Sequence, residues 1–404
     1  MRSRHRKVFG AAACASSLLV LALSGPADAD RRHAPLQGEG EGLELIANIP
    51  YDGGTDMELL TRNGRDYAIT GSESMLGDGG MRVIDVTDPA EPKVVAFLRC
   101  VLRQNDVQIS HDQKTVMLAQ DATGRPDACL AFGKRGFMTV DITNIKKPRP
   151  IGFAENPDGS HNTTAHPTKP YVYNSSSGER LGPVHIWSIK NPARPKLVGE
   201  YRPLGSAPHD ISFNKDGSLA VLAGDDQNIE VLDTSDPEAP TLLTVMFCVD
   251  CQLTHDAKFT PDSRYIVVGD EARGGQPFPC PGGALHFYEI QGTKQQPVLV
   301  MVGVYEPNEI LFATDQLNSC TSHVFDISDD GTRLAISWYS AGTRYLDISN
   351  MQGIGFGTMG PGPHEIGWFV PENGDSWSSK LYKGPYIYSN DLNRGFDVYR
   401  ITAE

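Results

Sequence analysis

Short apolar runs separated by turn residues recur along the chain. The clearest set is "HDISF" (209–213), the turn "NKDG" (214–217), "SLAVLAG" (218–224), "NIEVLDT" (228–234) and "TLLTVMF" (241–247). Runs of this length bounded by Gly, Pro, Asn and Asp predict strands, and Asp-Gly between two of them predicts a short hairpin. The set therefore predicts four consecutive strands.

The last two strands of that set belong to a phrase that occurs seven times. It reads "GGMRVIDVTDPAEPKVVAFL" at 79–98, "GFMTVDITNIKKPRPIGFA" at 136–154 and "GPVHIWSIKNPARPKLVGEY" at 182–201. It returns at 227–246, 283–305 and 341–359, and in the truncated "RGFDVYRITAE" at 394–404. Aligned on one column, the copies fall at Asp85, Asp141, Ser188, Asp233, Glu289, Asp347 and Arg400, 45 to 58 residues apart. Four strands per copy is the size of one propeller blade. The prediction is an all-β fold, a seven-bladed β-propeller. The last copy stops after its third strand, while "LELIANI" (43–49) has the character of an outer strand. Residues 43–49 are expected to complete the seventh blade and close the ring, leaving no long free edge. The propeller then spans 43–404, and the Gly-, Glu- and Arg-rich residues 30–42 are expected to form a disordered tail.

The phrase V-x-D-x-[TS]-[DN]-P-x-x-P, clear in "RVIDVTDPAEP" and "EVLDTSDPEAP", resembles the LVIVD-repeat family of exported bacterial β-propellers. The resemblance covers nearly all of the chain after residue 42. It implies the fold and export, and little about chemistry, because one propeller scaffold hosts many functions.

The start of the chain agrees with export. Arg2, Arg4, Arg6 and Lys7 precede an apolar run from Val8 to Leu23 and the small-residue stretch ending at Ala29. This predicts a secretory signal peptide over 1–29, cleaved after Ala29, and a secreted, extracellular product. No later segment is long and apolar enough to predict a membrane span. The net charge is −14, with the acids scattered, which speaks against nucleic acid or anionic lipid as a partner. Six of the seven cysteines follow the signal segment. An even number in an exported chain predicts disulfides. Cys100 and Cys129 flank blade two and are expected to pair. Cys248, Cys251, Cys280 and Cys320 allow three pairings, and "CVDC" (248–251) is read as a structural disulfide in preference to a zinc or redox pair.

Histidine carries the candidate chemistry. Aligned on the first hairpin turn of each unit, the column reads Asp56, Asn105, His161, His209, His255, His323 and His364. The innermost strands of a propeller line its central channel. Five imidazoles in one register, one per blade, are therefore expected to converge on one axial volume. Neutral imidazole is the commonest side-chain metal ligand, and nitrogen-rich sets suit copper, iron and zinc. The strand that pairs with this inner strand ends in an acid or amide in most blades: Glu73, Asp121, Asp225, Asp270 and Asn390. Such groups can accept the far N–H of a ligating imidazole. Asp210, Asp256 and Glu365 are expected to turn off the ring. Asp56 and Asn105 fill the remaining arc, open to dioxygen or a small-molecule substrate at the channel mouth, with Asp56 as a proton relay. Trp338 and Tyr339 are placed to line that path or to pack in the core. His185 and His286, on third strands, read as packing residues.

This layout is similar to that of two enzyme classes, the carotenoid cleavage oxygenases and the selenium-binding protein and methanethiol oxidase group. In both, several blades supply histidines to one metal. Three functional readings follow. The first is an exported oxidoreductase with one transition metal ion, copper or iron. The second is a non-catalytic extracellular binding propeller of the LVIVD type. The third is a zinc- or manganese-dependent lyase or hydrolase. The sequence leaves open the substrate, the oligomeric state and whether four or five histidines bind.

Overall fold

The computed structural model of the chain describes residues 36–73, 79–100, 103–121, 134–176, 182–205, 207–272, 282–308 and 319–403. These residues form seven sheets and no α-helix. Each sheet contains one blade of four antiparallel strands; five sheets have only these four, and two carry a fifth strand at the edge. Blade four consists of Pro208–Phe213, Leu219–Gly224, Asn228–Asp233 and Thr241–Phe247, in that order from the channel outward. The expected hairpin is present, with Gly217 of its turn at φ +73°, a conformation that costs glycine little.

The repeated phrase has a local physical cause. Its aspartate closes the third strand and its side chain accepts the N–H two residues on. Asp85 accepts from Thr87, Asp141 from Thr143, Asp233 from Ser235 and Asp347 from Ser349, at 2.8–3.1 Å. A second side chain does the same in the next turn: Asp88 accepts from Ala90 and Asp236 from Glu238. These side-chain turns mimic a backbone turn and steer the chain into the outer strand.

The third strands are apolar because both of their faces are covered. Gly80–Asp85 is buried at every position, whereas the outer strand Lys93–Arg99 is largely exposed. The core is divided among clusters shared by adjacent blades. Leu60, Ile69 and Val83 of blade one pack on Val107, Leu118 and Val140 of blade two. Burying each such side chain contributes about 1.5–3 kcal/mol.

The ring closes as the sequence predicted. Leu43–Ile49 is the outer strand of blade seven, antiparallel to Gly395–Ile401, with Leu43 opposite Ile401 and Ile49 opposite Phe396. Two departures are local. Part of the expected disordered tail is a strand: Gly38–Glu41 adds to the edge of blade six, with Gly38 opposite Pro371. The segment Gly353–Phe356 is not the outer strand of blade six. It pairs in parallel with Gln296–Glu306 of blade five, and blade six is completed by His364–Pro371. The inner strand of blade seven is then Ser376–Tyr382.

The expected signal peptide lies outside the described residues. Among those described, no helix is long and apolar enough to cross a membrane. Cys248 and Cys251 form a disulfide. Cys100 and Cys320 are also disulfide-bonded, while Cys129 and Cys280 lie outside the described residues, and the expected Cys100–Cys129 bond with them.

Candidate metal centre

The inner strands do not run straight into the channel mouth. Register shifts occur at Gly54/Met57, Gln104/Val107, Pro208/Asp210, Thr254/Asp256 and Ser376/Ser378. Such a bulge re-aims side chains that strict alternation would send to opposite faces. In blades three and six the histidine lies just before the strand. His161 N–H donates to Ser175 O, and His323 N–H to Ser337 O, both at 2.9 Å.

Four of the five expected histidines come together. Ring centroids are 4.6 Å apart for His161–His209, 4.1 Å for His209–His255 and 4.2 Å for His255–His323. Gln104 continues the arc at one end, its Nε2 3.2 Å from His161 Nε2. Trp377 and Tyr339 continue it at the other, at 4.4 and 4.6 Å from His323. His364 is not part of the arc. It begins the outer strand of blade six, opposite Asp347, with Nδ1 against Gly362 O. The insertion between the third and outer strands of that blade shifted the apparent register.

The tautomers favour metal binding. Nδ1 of His209 faces His255 O at 3.0 Å, Nδ1 of His323 faces Trp377 O at 2.6 Å, and Nδ1 of His161 faces Asp121 Oδ2 at 3.2 Å. A carbonyl can only accept, so Nδ1 of His209 and of His323 carries the proton and Nε2 keeps its lone pair. Burial, reinforced by the neighbouring histidines, holds His209 and His255 well below the usual imidazole range. Burial likewise pushes His323 down to about 3. All three are neutral at pH 7.

A carboxylate joins them. Glu271 is buried, and one donor atom from each of His209, His255 and Glu271 lies within 4.8 Å of the others. The His255 Nε2–Glu271 Oε2 distance is 3.8 Å. Two ligand atoms bound to one ion at about 2.1 Å are at most about 4.2 Å apart, so the set closes with side-chain movements under about 1 Å. Tyr339 Oη donates to Glu271 Oε1 at 2.7 Å. Burial is the main cause that pushes Glu271 up to about 7. Tyr339 has φ +42° and Gln104 φ +73°. These conformations are unusual for side-chain-bearing residues and collect at sites where geometry is constrained.

The expected supporting acids divide. Backbone N–H groups of Glu73, Asp121, Asp225 and Glu271 donate to Gly53, Arg103, Ala207 and Leu253, each one residue before its inner strand. Glu271, not Asp270, is therefore the register mate of Asp225. The shared "Gly-Asp" misled by one residue; counting from the hairpin turn gives Glu271. Asp121 meets His161 as expected. Glu73 accepts the N–H of Gln104. Asp270 accepts the N–H groups of Gln252 and Leu253 and caps that loop. Asn390 accepts from Tyr51 Oη and donates to Gly71 O, joining blade seven to blade one.

Asp56 and Asn105 do not fill the ring. Asn105 turns into blade one and donates to Ser72 O and Gly80 O. Asp56 lies below the histidines in a cavity of about 500 Å³ lined by inner strands of all seven blades, with His255, His323 and Trp377 in its wall. Asp106, Asp210, Asp326, Lys258 and Lys380 line it as well. Asp210, expected off the ring, faces this cavity because of the bulge beside it. Burial and then Asp256 push it up to about 7. Asp256 does pair within the wall, with Lys258, and Glu365 with Arg344 and Tyr305. Trp338 is core, its indole donating to Gly282 O.

No protein-family model matches the chain, and no curated protein sequence does. Similarity to solved structures is extensive but distant. The β-propeller domain of Myceliophteria thermophila Cps50 (Swd1) superposes with a TM-score of 0.61 at 10% identity, covering 89% of this chain and 100% of that one. A functionally unknown protein from Desulfotomaculum acetoxidans DSM 771 gives 0.55 at 18% identity, covering 73% and 83%. Identities this low establish the propeller fold alone.

Proposed function

We propose that this chain is an exported metal-binding β-propeller, an oxidoreductase that uses iron or copper in the channel mouth. One observation carries the reading: the neutral, buried imidazoles of His209 and His255, from successive blades, lie beside a buried carboxylate, and His209 keeps its Nε2 lone pair free. Two imidazoles and one carboxylate with open positions suit non-haem Fe(II) better than the all-nitrogen set expected from the sequence. His209, His255 and Glu271 would hold the ion, with His161 and His323 beside it. The metal would supply electron transfer to a substrate or dioxygen. Tyr339 holds Glu271 in orientation, and the polar cavity below admits a small hydrophilic substrate. The disulfide supports an oxidising compartment, as does the LVIVD-type repeat.

The same two-histidine, one-carboxylate set also serves zinc hydrolases, and this is the second reading. Elemental analysis of the purified full chain separates them. Iron or copper at about one equivalent, with an optical spectrum lost in His255→Ala, is the expected result. Zinc alone favours hydrolysis. A chain that takes up no metal after mild purification and reconstitution is a binding propeller, and the proposal fails.

A further inference from the structure

Blade five carries a second group of ligand-type side chains. Cys248 and Cys251 lie in the loop that enters the blade, and His286 lies on its third strand, Leu285–Thr293. One atom from each of the three lies within 4.8 Å of the others. All are buried, at 2%, 2% and 3% exposure.

The same third-strand column in the other blades shows what is unusual about His286. Arg82, Thr139, His185, Glu230, Arg344 and Asp397 occupy it, and each is hydrogen-bonded: Arg82 to Ser72, Thr139 to Pro192 O, His185 to Asn156, Glu230 to Tyr201, Arg344 to Glu365, Asp397 to Arg394. His286 has no hydrogen-bond partner for either ring nitrogen among the described residues. A buried polar atom left unpaired costs about 1–3 kcal/mol. Cys248 and Cys251 share an apolar cluster with Val268, which stands opposite His286 on the neighbouring strand. Burial also holds the ring below the usual imidazole range, against the pull of Asp250. A neutral imidazole facing two sulfurs is therefore a donor without an acceptor partner.

We propose that Cys248, Cys251 and His286 form a second, thiol-gated metal site, closed as the disulfide and taking one Zn²⁺ when the disulfide is reduced. The reductant is a dithiol. Its thiolate attacks one sulfur, its second thiol completes the exchange, and its two electrons and two protons leave Cys248 and Cys251 as thiols while it becomes a disulfide. Zn²⁺ then displaces both thiol protons to solvent and is held by two thiolates, one imidazole and a water. The loop is held by hydrogen bonds as well as by the S–S bond. Cys248 N–H donates to Gln227 O at 2.8 Å, Cys251 N–H to Cys248 O at 3.1 Å, and the Gln227 side chain to Cys251 O. Its tip, Val249, is 82% exposed, so the two buried sulfurs lie directly beneath a surface loop. This inference is independent of the channel site.

Cobalt(II) titration of the full chain under anaerobic conditions tests it, in the oxidised form and after dithiol reduction and desalting. Only sulfur ligands give a thiolate-to-cobalt charge-transfer band, so nitrogen and oxygen donors in the channel are silent. The expected result is a band that saturates at one added equivalent in the reduced protein only and is erased by Zn²⁺. It should vanish in the Cys248→Ser/Cys251→Ser double variant and need about tenfold more cobalt in His286→Phe. Should His286→Phe fail to fold, His286→Gln carries the same expectation. No band in the reduced wild type, a band that survives the double serine variant, or unchanged affinity without His286 overturns the proposal.

Discussion

Blades three to six and blades seven, one and two are built from the same strands, and both send charged groups into the cavity, Asp210, Lys258 and Asp326 from the first set, yet only the first set presents histidines at the mouth. On the first arc, His161, His209, His255 and His323 face one another with ring centroids 4.1–4.6 Å apart. On the second, the lining is Trp377, Asp56, Glu58, Gln104, Asp106 and Lys380, and Lys380 donates to Glu58 at 3.2 Å. The difference teaches that the scaffold supplies only a register. What occupies that register decides whether an arc balances charge or offers lone pairs. Damage to the charged arc should cost stability. Damage to the histidine arc should cost metal and leave stability nearly intact.

The largest effect is expected from Lys380→Met. Lys380 is half-buried in the cavity wall, with Glu58, Asp56 and Asp326 as its carboxylate neighbours. Removing one partner of a buried charge cluster typically costs about 3–5 kcal/mol. Urea denaturation should show that loss, while the folded protein takes up metal as before. Next is Glu271→Gln on the other arc. Metal affinity should fall about 100-fold, with urea stability of the metal-free protein unchanged. Tyr339→Phe, which only frees Glu271, should lower affinity about tenfold. Metal competition titrations measure both. A stability loss in Glu271→Gln matching that of Lys380→Met would erase the distinction between the arcs.

The fold was legible because its causes are local and repeated. The Asx turns at Asp85, Asp141, Asp233 and Asp347 recur in the sequence at blade spacing, and Leu43–Ile49 visibly supplied the missing strand. The histidine column was legible in blades three to six, where a fixed distance from the hairpin turn to the ring is kept. It failed in blade seven, because the insertion between Asp347 and His364 carries strand-like residues that pair with blade five instead. Asn105 was misread because the bulge after Gln104 turns it into blade one. Tyr339 was placed near the mouth from the sequence, but its bond to Glu271 depends on a positive φ, and the orphaned nitrogens of His286 depend on which residues surround it. Neither can be read from residue order alone.

A smaller effect tests the charged arc through pH. Asp391 ends the second strand of blade seven, buried, accepting the N–H groups of Asp375, Asn393 and Arg394. Burial, then Asp397, pushes it up to about 8. The folded chain thus keeps a proton that the unfolded chain has lost, and stability falls as pH rises from about 4 to 8. Asp391→Asn removes that slope. The weakened bond from Asp375 N–H lowers the variant equally at every pH, so its stability relative to wild type should be lowest at pH 4 and rise steadily towards pH 9. Parallel pH–stability curves would mean that blade seven carries Asp391 without strain.

The smallest effect is the sharpest test of which histidines count. His364 and His323 belong to the same blade, on its outer and inner sides. His364 is half-buried, touches Gly362 O, and lies in no ring contact with the other four. His364→Ala should therefore leave metal uptake at the wild-type level and shift stability by no more than about 0.5 kcal/mol. His323→Ala removes a ring packed on His255, Tyr339 and Trp377 and should lower metal affinity. If His364→Ala lost metal as well, the ion would sit somewhere other than the channel mouth. The four-histidine arc would then be a lining held by packing alone, with no ligand to explain it.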